Sequence, residues 1–465
     1  MKVLRQAPQI KAAIEQLLQE YRELKDWELQ FLTVFTPAIV GFVDWVLAEA
    51  EKAGKTCLYF LARDGYLLYQ VAEELCKEKS CKKEKSGKIQ IKYLKVSRQS
   101  LRSAQYHLQQ EECLDYICTG GIDITFEKIM KRAGVSQEIA MQTAHRAGYA
   151  DRYHEVLNYA TIVELKSVLE KDNVFLSEVY RIAKEKYPNT MGYLRQEGLL
   201  DGENYGIVDT GWIGTLQKTL EQLVASQITG KELPRIDGYY FGLYGIPKDM
   251  DVTKYHAYYF EPWNHIRRKV YFANSLMEAV ISAPNGMTVE YYQSKESKYE
   301  YQVRETEIGN PNADRILRET ELLKLFFLCY KANRQYVKEF EKVLEKLFCL
   351  FMTKPNREEV EFWGGFQFCD DVLEGQMQCV AARLSEQEIK KQWFVNKLLV
   401  IIGKKKEEIH ESAWLEGSIV RVGKHVRRNL RHVRFYKYIL YMRKAVKARE
   451  NQRRKTRKAK REAGG

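Results

Sequence analysis

The sequence predicts an α/β fold: a mostly parallel sheet built from β-loop-α units, with a helical insertion and a helical, basic C-terminal region. Short apolar runs are each followed by a stretch whose apolar residues recur at helical spacing, and this alternation is typical of parallel sheets. A long run of helical pattern then separates the second strand from the third. The expected strands are Cys57 to Ala62, Ile89 to Val96, Tyr205 to Val208 and Ile236 to Tyr244.

Composition divides the 465 residues into five expected regions, and a hydrophobic content of 45% is enough for a sizeable buried core. The regions are N-terminal helices packing on the core (1–52), the α/β core (53–108 and 201–300), a helical insertion (109–200), a helical accessory region (301–383) and a helical basic tail (384–465).

The basic charge of the chain is concentrated at its C-terminal end. The net charge is +13, but residues 421–465 contain 18 Lys or Arg and two Glu, which leaves 57 basic and 60 acidic residues in 1–420. Apolar residues interleave with the bases at helical intervals, which predicts a helix on an anionic membrane surface with Tyr436, Ile439 and Leu440 in the headgroup boundary. Nucleic acid is the rival partner, and a solvated, partly disordered end is the structural alternative.

Three features predict a cytoplasmic protein, peripheral to the inner face of the membrane if the tail binds lipid. The N-terminus lacks the continuous apolar segment of a signal peptide. The most apolar window, Phe31 to Val43, has 13 residues and contains Pro37, whereas a transmembrane helix needs about 20 apolar residues. Nine cysteines without a C-x-x-C pair are typical of a reducing compartment.

Charged residues and glycines follow three of the expected strands. They are Arg63-Asp64-Gly65, Ser97-Arg98 and the segment Asp209-Thr210-Gly211-Trp212-Ile213-Gly214-Thr215. Crossovers in one parallel sheet place such loops at the same edge, so we expect them to form one site. A glycine-containing helix entry suits a phosphate, which Arg63 or Arg98 can clamp. Asp64 or Asp209 can act as a base, orient a sugar hydroxyl or hold a metal.

Each loop also has a structural interpretation. Arg63-Asp64 can be an ion pair that ends a strand, Asp209 can be a helix N-cap, and the glycines can serve turns. Three such loops on successive strands favour one shared site over three unrelated turns. The sequence contains no P-loop motif and no H-E-x-x-H.

Five segments of the chain resemble the C-terminal module of bacterial proteins described as hydrolases of the haloacid dehalogenase (HAD) superfamily. They are FLARDGYLL, YLKVSRQSLR, YPNTMGYL, YGIVDTGWIGTLQKTL and MEAVISAPNGMTVEYY, and the resemblance covers about residues 25–295. Such proteins are often encoded beside glycosyltransferases for surface polysaccharides. The resemblance implies a protein of bacterial surface-polysaccharide biosynthesis that binds a phosphorylated or nucleotide-activated sugar, as a transferase or hydrolase. A non-catalytic ligand-binding or scaffold module that partners glycosyltransferases is the alternative.

The loops and the resemblance together name the candidate site residues. Asp64 and Asp209 are the candidate catalytic residues. Gln217 and Glu278 are implied by the resemblance alone. The candidate ligand-binding and phosphate-binding residues are Arg63, Gly65, Ser97, Arg98, Thr210, Gly211, Trp212, Gly214, Thr215, Gln217 and Glu278.

The sequence departs from a HAD phosphatase in its nucleophile motif. Those enzymes need D-x-D after the first strand, with Mg²⁺ in the site. Asp64-Gly65-Tyr66 and Asp209-Thr210-Gly211 both lack the second aspartate. We therefore expect the hydrolase name to belong to a unit that longer relatives carry upstream, and the use of Mg²⁺ stays open.

The pattern strand-Asp-Thr-Gly-x-x-Gly-Thr-helix is also similar in shape to the phosphate loop of type I phosphoribosyltransferases. The strand-Arg-Asp-Gly loop would fit their pyrophosphate loop. The paired acidic residues that usually precede Thr-Gly are absent, because Ile207-Val208 precede a single Asp209. A phosphoribosyltransferase-like enzyme is therefore a further alternative, by shape only.

Overall fold

The centre of the fold is a five-stranded sheet whose strands all run parallel, so the α/β prediction is confirmed. The computed structural model describes residues 2–21, 23–80, 89–121, 124–228, 234–297, 299–330, 340–368, 378–401 and 412–462. The strand order is β2-β1-β3-β4-β5. The strands are β1 Cys57–Leu61, β2 Gln90–Leu94, β3 Tyr205–Trp212, β4 Asp237–Leu243 and β5 Tyr255–Phe260.

Helices cover both faces of the sheet and dominate the regions outside it. They are α1 Pro8–Glu20, α2 Asp26–Gln30, α3 Thr36–Lys52, α4 Gly65–Ser80, α5 Arg98–Gln105, α6 Gln110–Ile117, α7 Phe126–Ala133, α8 Gln137–Ala147, α9 Tyr159–Leu169, α10 Asn173–Gln196, α11 Thr215–Ala225, α12 Ile266–Val270, α13 Asn274–Ile281, α14 Ala313–Cys329, α15 Phe340–Phe351, α16 Arg357–Trp363, α17 Glu386–Lys391, α18 Phe394–Ile401, α19 Leu415–Val422 and α20 Val426–Glu462. Two antiparallel hairpins pair β6 Thr288–Gln293 with β7 Tyr301–Glu305, and β8 Gln367–Phe368 with β9 Gln378–Cys379.

The first strand, β1, is buried along its whole length. All five residues of CLYFL are inaccessible to solvent. Leu58 and Phe60 face one layer of helices, and Tyr59 and Leu61 face the other. A strand with a neighbour on each side and helices on each face must be apolar throughout, which explains the continuous apolar run in the sequence.

The order of strands changes direction between β1 and β3. α4, which follows β1, packs Leu67 and Leu68 into the core on one face of the sheet. α11, which follows β3, packs Leu220 and Leu223 on the opposite face. The two connections therefore diverge at the carboxyl ends of adjacent strands and leave a crevice, which is where doubly wound sheets bind ligands.

The strand β3 is longer than the sequence predicts. The prediction ends it at Val208, but Asp209 pairs with Tyr240 of β4, and the pairing continues to Trp212. Residues 209–212, which the sequence predicts as a loop, are therefore held in an extended conformation by β4. This extension fixes the position of Asp209 more firmly than a loop would.

The helical insertion contains its own apolar core. Phe126, Ile129, Leu165 and Phe175 are fully buried in it. Ion pairs join the insertion to the core. Lys218 on α11 lies 2.7 Å from a carboxylate oxygen of Glu112 on α6, and Lys186 on α10 lies 3.7 Å from one of Glu290 on β6. The insertion is thus anchored to the helix that starts at the β3 loop.

The basic tail is packed against the body in its first half. Leu430 and Val433 of α20 are buried in a small cluster with α17 and α19. Tyr441 stacks on Tyr244, which follows β4, with ring centroids 5.3 Å apart. The alternative of a disordered end is therefore wrong for residues 426–452.

Two of the three tail residues expected in a lipid headgroup region face the body instead. Tyr436 and Leu440 line a cavity of about 230 Å³ together with Phe272. Lys397 on α18 places its Nζ 4.9 Å from the centroid of the Tyr436 ring. Their predicted insertion into lipid is therefore wrong, because α20 turns this face toward the core.

One stretch of the described chain, Asp26–Lys52, is long and apolar enough to cross a membrane by length and composition alone. It runs through α2, a π-helical turn at Phe31–Phe35 and α3. Of its most apolar window, 72% is buried inside the protein. Within the fold this stretch packs as a core helix, as the short window from Phe31 to Val43 predicts.

A buried ionic network closes the amino edge of the sheet, opposite the crevice. Asp237, at the start of β4, pairs with Lys55 at 2.7 Å, and both side chains are almost fully buried. Arg235 donates to the same carboxylate, and His256 Nε2 lies 3.0 Å from it. Burial alone raises the pKa of Asp237, but hydrogen bonds with His256, Lys55 and Arg235 hold that pKa well below its usual range.

We expect Asp237→Asn to lower the free energy of unfolding by about 3–5 kcal/mol at pH 7, because it leaves Lys55 buried and without a counter-charge. A carboxylate whose pKa is lowered by folding stabilises the native state above about pH 4, and this contribution is lost as the pH falls through the native pKa. Urea unfolding should therefore show a gap between wild type and variant that narrows from pH 4 to pH 2. The control is Lys52→Ala, which breaks the exposed ion pair with Glu49. It should change the free energy of unfolding by less than about 0.5 kcal/mol. Equal effects of the two substitutions would contradict the network.

Candidate functional site

A cavity of about 330 Å³ opens at the carboxyl edge of the sheet, over the ends of β1, β2 and β3. All three loops singled out by the sequence contribute to its lining, and α13 adds a fourth wall. The structure thus brings together side chains from four distant parts of the chain. The predicted residues that line the cavity are Arg63, Asp64, Ser97, Arg98, Asp209, Gly211, Trp212, Gly214, Thr215 and Glu278.

Asp64 lies at the end of β1 and is held by the neighbouring strand. The hydroxyl of Thr210 on β3 donates a hydrogen bond to Asp64 Oδ2 at 2.8 Å. Gly65 lets α4 begin at once, because a Cβ there would lie 2.9 Å from the carbonyl carbon of Phe60. Asp64 is therefore fixed at the mouth of the crevice by β3 as well as by its own strand.

Asp209 is the second carboxylate of the crevice and belongs to β3. Its Oδ1 accepts a hydrogen bond from the Thr210 amide at 2.8 Å. The interpretation of Asp209 as a helix N-cap is wrong, because α11 begins only at Thr215 and Gly214 occupies its N-cap position. The strand, and not a helix end, places this carboxylate in the cavity.

The entry to α11 presents backbone N–H groups to the cavity. Gly214 has a φ of 73° and provides no side-chain cap, so the first amides of the helix lack the usual side-chain acceptor. Arg102 on α5 donates from Nη2 to Thr215 Oγ1 at 2.8 Å. Amides at the positive end of a helix dipole suit an anion such as phosphate. The loop backbone also contains the cis peptide bond Gly211–Trp212.

The loop after β2 has a structural and a functional residue side by side. Ser97 is the N-cap of α5, accepts from the Ser100 amide at 2.9 Å and donates to the Thr288 carbonyl at 2.6 Å. Its hydroxyl therefore holds the start of α5 and the Thr288 backbone, while the residue also lines the cavity, and its role toward a ligand stays a prediction. Arg98, the next residue, is exposed at the cavity and is the side chain of this loop that is suited to an anion.

Burial raises the pKa of both carboxyl groups in the crevice. The pKa of Asp209 rises to about 8, mainly because burial disfavours the charged form, and further because Asp64 is close. Burial also raises the pKa of Asp64, against the lowering effects of the Thr210 hydrogen bond and of Arg63 and Arg98. Each carboxyl group is partly accessible from the cavity. At neutral pH the pair therefore holds a proton in a place that a ligand can reach.

The far wall of the cavity is formed by α13 and the segments after it. Trp212 Nε1 donates a hydrogen bond to Glu278 Oε1, which ties this wall to β3. The end of α13 is held by Arg315, whose guanidinium donates to the carbonyls of Ala279 and Val280. Glu278 is thus positioned directly by Trp212, and Arg315 holds the end of the helix that carries it.

Several polar residues of this wall were not predicted from the sequence. One signal was available, because Asn274 precedes Glu278 by four residues and so shares its helix face. Asn310 and Asn312 flank a proline in a segment that reads as a turn, and only the fold brings them to the sheet edge. The polar residues that the prediction omits are Asn274, Ser282, Asn310, Asn312 and Gln367.

Three predicted site residues lie outside the lining of the cavity. Gly65 is buried beneath it and serves the close approach of α4 to β1. Thr210 is buried and acts on Asp64 rather than on a ligand. Gln217 is fully buried, donates to the Ile236 carbonyl at 2.9 Å and accepts from Tyr240 at 2.7 Å. Gln217 is therefore a core residue that joins α11 to β4, and its assignment as a ligand residue is wrong.

The donor set at the crevice does not match a resident metal site. Within the described ranges of the chain, no group of three or more His, Cys, Asp or Glu side chains is placed to hold a metal ion. Asp64 and Asp209 are two carboxylates with Arg63 and Arg98 beside them, so the positive charge of the site comes from arginine. A site that already holds a proton and two guanidinium groups disfavours a divalent cation. Mg²⁺ held jointly by these carboxylates and the phosphate of a bound ligand stays a prediction.

We expect Asp209→Asn to become more stable relative to wild type as the pH rises from 5 to 8. A carboxyl group with a raised pKa holds a proton in the native state that the unfolded chain releases near pH 4. Wild type therefore loses stability with rising pH, at up to about 1.4 kcal/mol per pH unit for one full proton. The asparagine variant lacks this loss, and urea unfolding at pH 5, 6, 7 and 8 measures the difference.

Asp151→Asn is the matched control, since Asp151 is an exposed carboxylate of the insertion. Its unfolding free energy should stay parallel to that of wild type over the same pH range. Parallel curves for Asp209→Asn and wild type would show that Asp209 is already ionised at pH 5, against the shared-proton assignment.

No family model and no curated protein matches this chain. What the cavity binds must therefore be inferred from its own residues.

Proposed function

We propose that the cavity binds a phosphorylated or nucleotide-activated sugar, and that the protein acts on it as a transferase or hydrolase. The observation that carries the proposal is the pair Asp64 and Asp209, which holds a proton beside Arg63, Arg98 and the open N-terminus of α11. Groups with strongly shifted pKa values in a cleft are typical of sites that move protons.

The phosphate end of the site is assigned to the entry of α11. The backbone amides after Gly214 point along the helix axis toward the cavity, and Arg98 lines the same end. Arg102 is tied to Thr215, so it adds positive charge behind the loop without entering the cavity. Burial lowers the pKa of Arg102 to about 10, which leaves it charged at neutral pH.

The sugar end is assigned to the wall built on α13. Asn274, Glu278 and Ser282 offer acceptors and donors of the kind that bind hydroxyl groups. Trp212 contributes an aromatic face, held by stacking on Phe260 with ring centroids 6.2 Å apart. A volume of about 330 Å³ lies at the low end of ligand pockets, roughly 300–1,000 Å³. This size favours a monosaccharide phosphate, with any nucleotide part extending out of the cavity.

Asp209 is assigned the proton-transfer role. With a pKa of about 8 it is protonated at neutral pH and can protonate a leaving oxygen. Asp64 is oriented by Thr210, and its nearby charge raises the pKa of Asp209, which helps Asp209 to keep its proton until the reaction. Arg63 and Arg98 offset negative charge on a phosphate.

The setting of bacterial surface-polysaccharide biosynthesis, with glycosyltransferases as partners, is proposed from the resemblance alone. The segments FLARDGYLL and YGIVDTGWIGTLQKTL support it, because they supply Arg63, Asp64, Asp209, Gly211 and Gly214 to the lining of the cavity. A cytoplasmic location is proposed on the same basis, together with the cysteine content.

We expect Arg98→Gln to weaken ligand binding by about 10- to 100-fold, the cost of losing one charge-assisted hydrogen bond. Binding is measured by thermal shift and calorimetry against sugar phosphates, nucleotide sugars and phosphoribosyl pyrophosphate, with and without Mg²⁺. Arg357→Gln on α16 removes an exposed arginine away from the cavity and is the control. Equal affinity of wild type and Arg98→Gln for every hit would contradict the phosphate assignment.

We expect Asp209→Asn to retain ligand affinity within a few-fold and to lose turnover by about 10²- to 10⁴-fold, the usual contribution of a general acid. Turnover by wild type should fall as the pH rises through about 8, because Asp209 then loses its proton. Product analysis of the hits from the binding screen measures both effects. A ligand that binds tightly and is left intact by wild type would instead identify a non-catalytic binding module.

A further inference from the structure

The tail helix presents an apolar stripe to solvent on the side away from the body. The stripe consists of Phe435, Tyr438, Met442 and Val446, with exposed fractions of 53%, 47%, 37% and 49%. Their spacings of three and four residues place them on one face of α20. Other residues of α20 are buried against the body, namely Leu430, Val433 and Ala445.

A neighbouring helix extends this stripe. Phe394 of α18 meets Phe435 edge to face, with ring centroids 4.9 Å apart. The next residue, Val395, is 58% exposed. The apolar surface therefore spans two helices, and it is built from large side chains that a soluble surface rarely clusters.

Basic side chains border the stripe. α20 contains two acidic residues, Glu450 and its last residue, Glu462. The exposed basic residues are Arg427, Arg428, Arg431, Arg443, Lys444, Lys447 and Arg449. A surface that combines large apolar side chains with a dense positive border matches the headgroup boundary of an anionic bilayer, where apolar insertion and electrostatic attraction add.

We propose that this outward face of α20, with the exposed end of α18, docks the protein on an anionic membrane surface. The residues that enter the headgroup region are Phe435, Tyr438, Met442 and Val446, in place of the inward-facing Tyr436 and Leu440. A second copy of the chain fits the face less well, because pairing two such stripes brings their basic borders together. Nucleic acid would pair with the basic side chains but would leave the four apolar side chains without a partner.

The test compares binding of full-length protein to vesicles by flotation. The vesicles are neutral phosphatidylcholine, or phosphatidylcholine with about one-third phosphatidylserine. Wild type is expected to bind the anionic vesicles at least tenfold more strongly than the neutral ones. High salt should weaken this binding without abolishing it, since the apolar part is not screened.

The triple variant Phe435→Ser, Met442→Ser and Val446→Ser should lose at least tenfold in vesicle binding while its melting temperature stays within a few degrees. The control variant Val163→Ser, Val168→Ser and Val174→Ser removes a similar exposed apolar area from the insertion and should bind like wild type. A second variant, Arg431→Glu, Arg443→Glu and Lys447→Glu, should abolish the preference for anionic lipid even if the first variant folds poorly.

The proposal would be overturned if the triple serine variant and the triple glutamate variant both bound vesicles like wild type. Salt-sensitive binding to RNA without vesicle binding would replace the membrane with nucleic acid. A concentration-dependent dimer that the serine variant dissociates, again without vesicle binding, would assign the face to a second copy.

Discussion

The architecture of the site depends on the parallel pairing of β1 with β3. In that pairing Cys57 lies opposite Tyr205 and Phe60 lies opposite Val208, so both strands end at the same edge of the sheet. Asp64 and Asp209 follow these pairs, so both line a crevice that α4 and α11 leave open by turning to opposite faces. Burial and the nearness of a second negative charge make it costly in free energy for both carboxyl groups to ionise. The pair therefore holds a proton because of where the fold places it.

The rest of the molecule supports this crevice in identifiable ways. β4 extends β3 past Asp209, Thr210 fixes Asp64, and Arg102 connects the first residue of α11 to Tyr116 in the insertion. Arg315, on α14, holds the end of α13 and with it the wall that carries Glu278. The accessory helices therefore shape the cavity without contributing the proton-bearing pair.

Local pattern predicts much of the fold and the three loops of the site, and the failures have physical causes. The loops after β1, β2 and β3 were found because charge and glycine directly follow buried apolar runs. Gln217 was assigned to the ligand from the resemblance alone, whereas its position on α11 turns its side chain into the core. β5, Tyr255–Phe260, was not predicted because YHAYYF carries no clear alternation, and the burial of this strand comes from tertiary packing. The polar wall at Asn310 and Asn312 depends on long-range placement that no local pattern encodes.

The shared proton can be observed directly by carbon-detected NMR of protein labelled at the aspartate carboxyl carbons. In wild type the Asp209 signal is expected to titrate near pH 8, and in Asp64→Asn its pKa should move down, because the neighbouring charge is gone. Assignment follows from the signal that disappears in Asp209→Asn. An Asp209 carboxyl that titrates near pH 4 in wild type, and does so unchanged in Asp64→Asn, would contradict the account of the crevice.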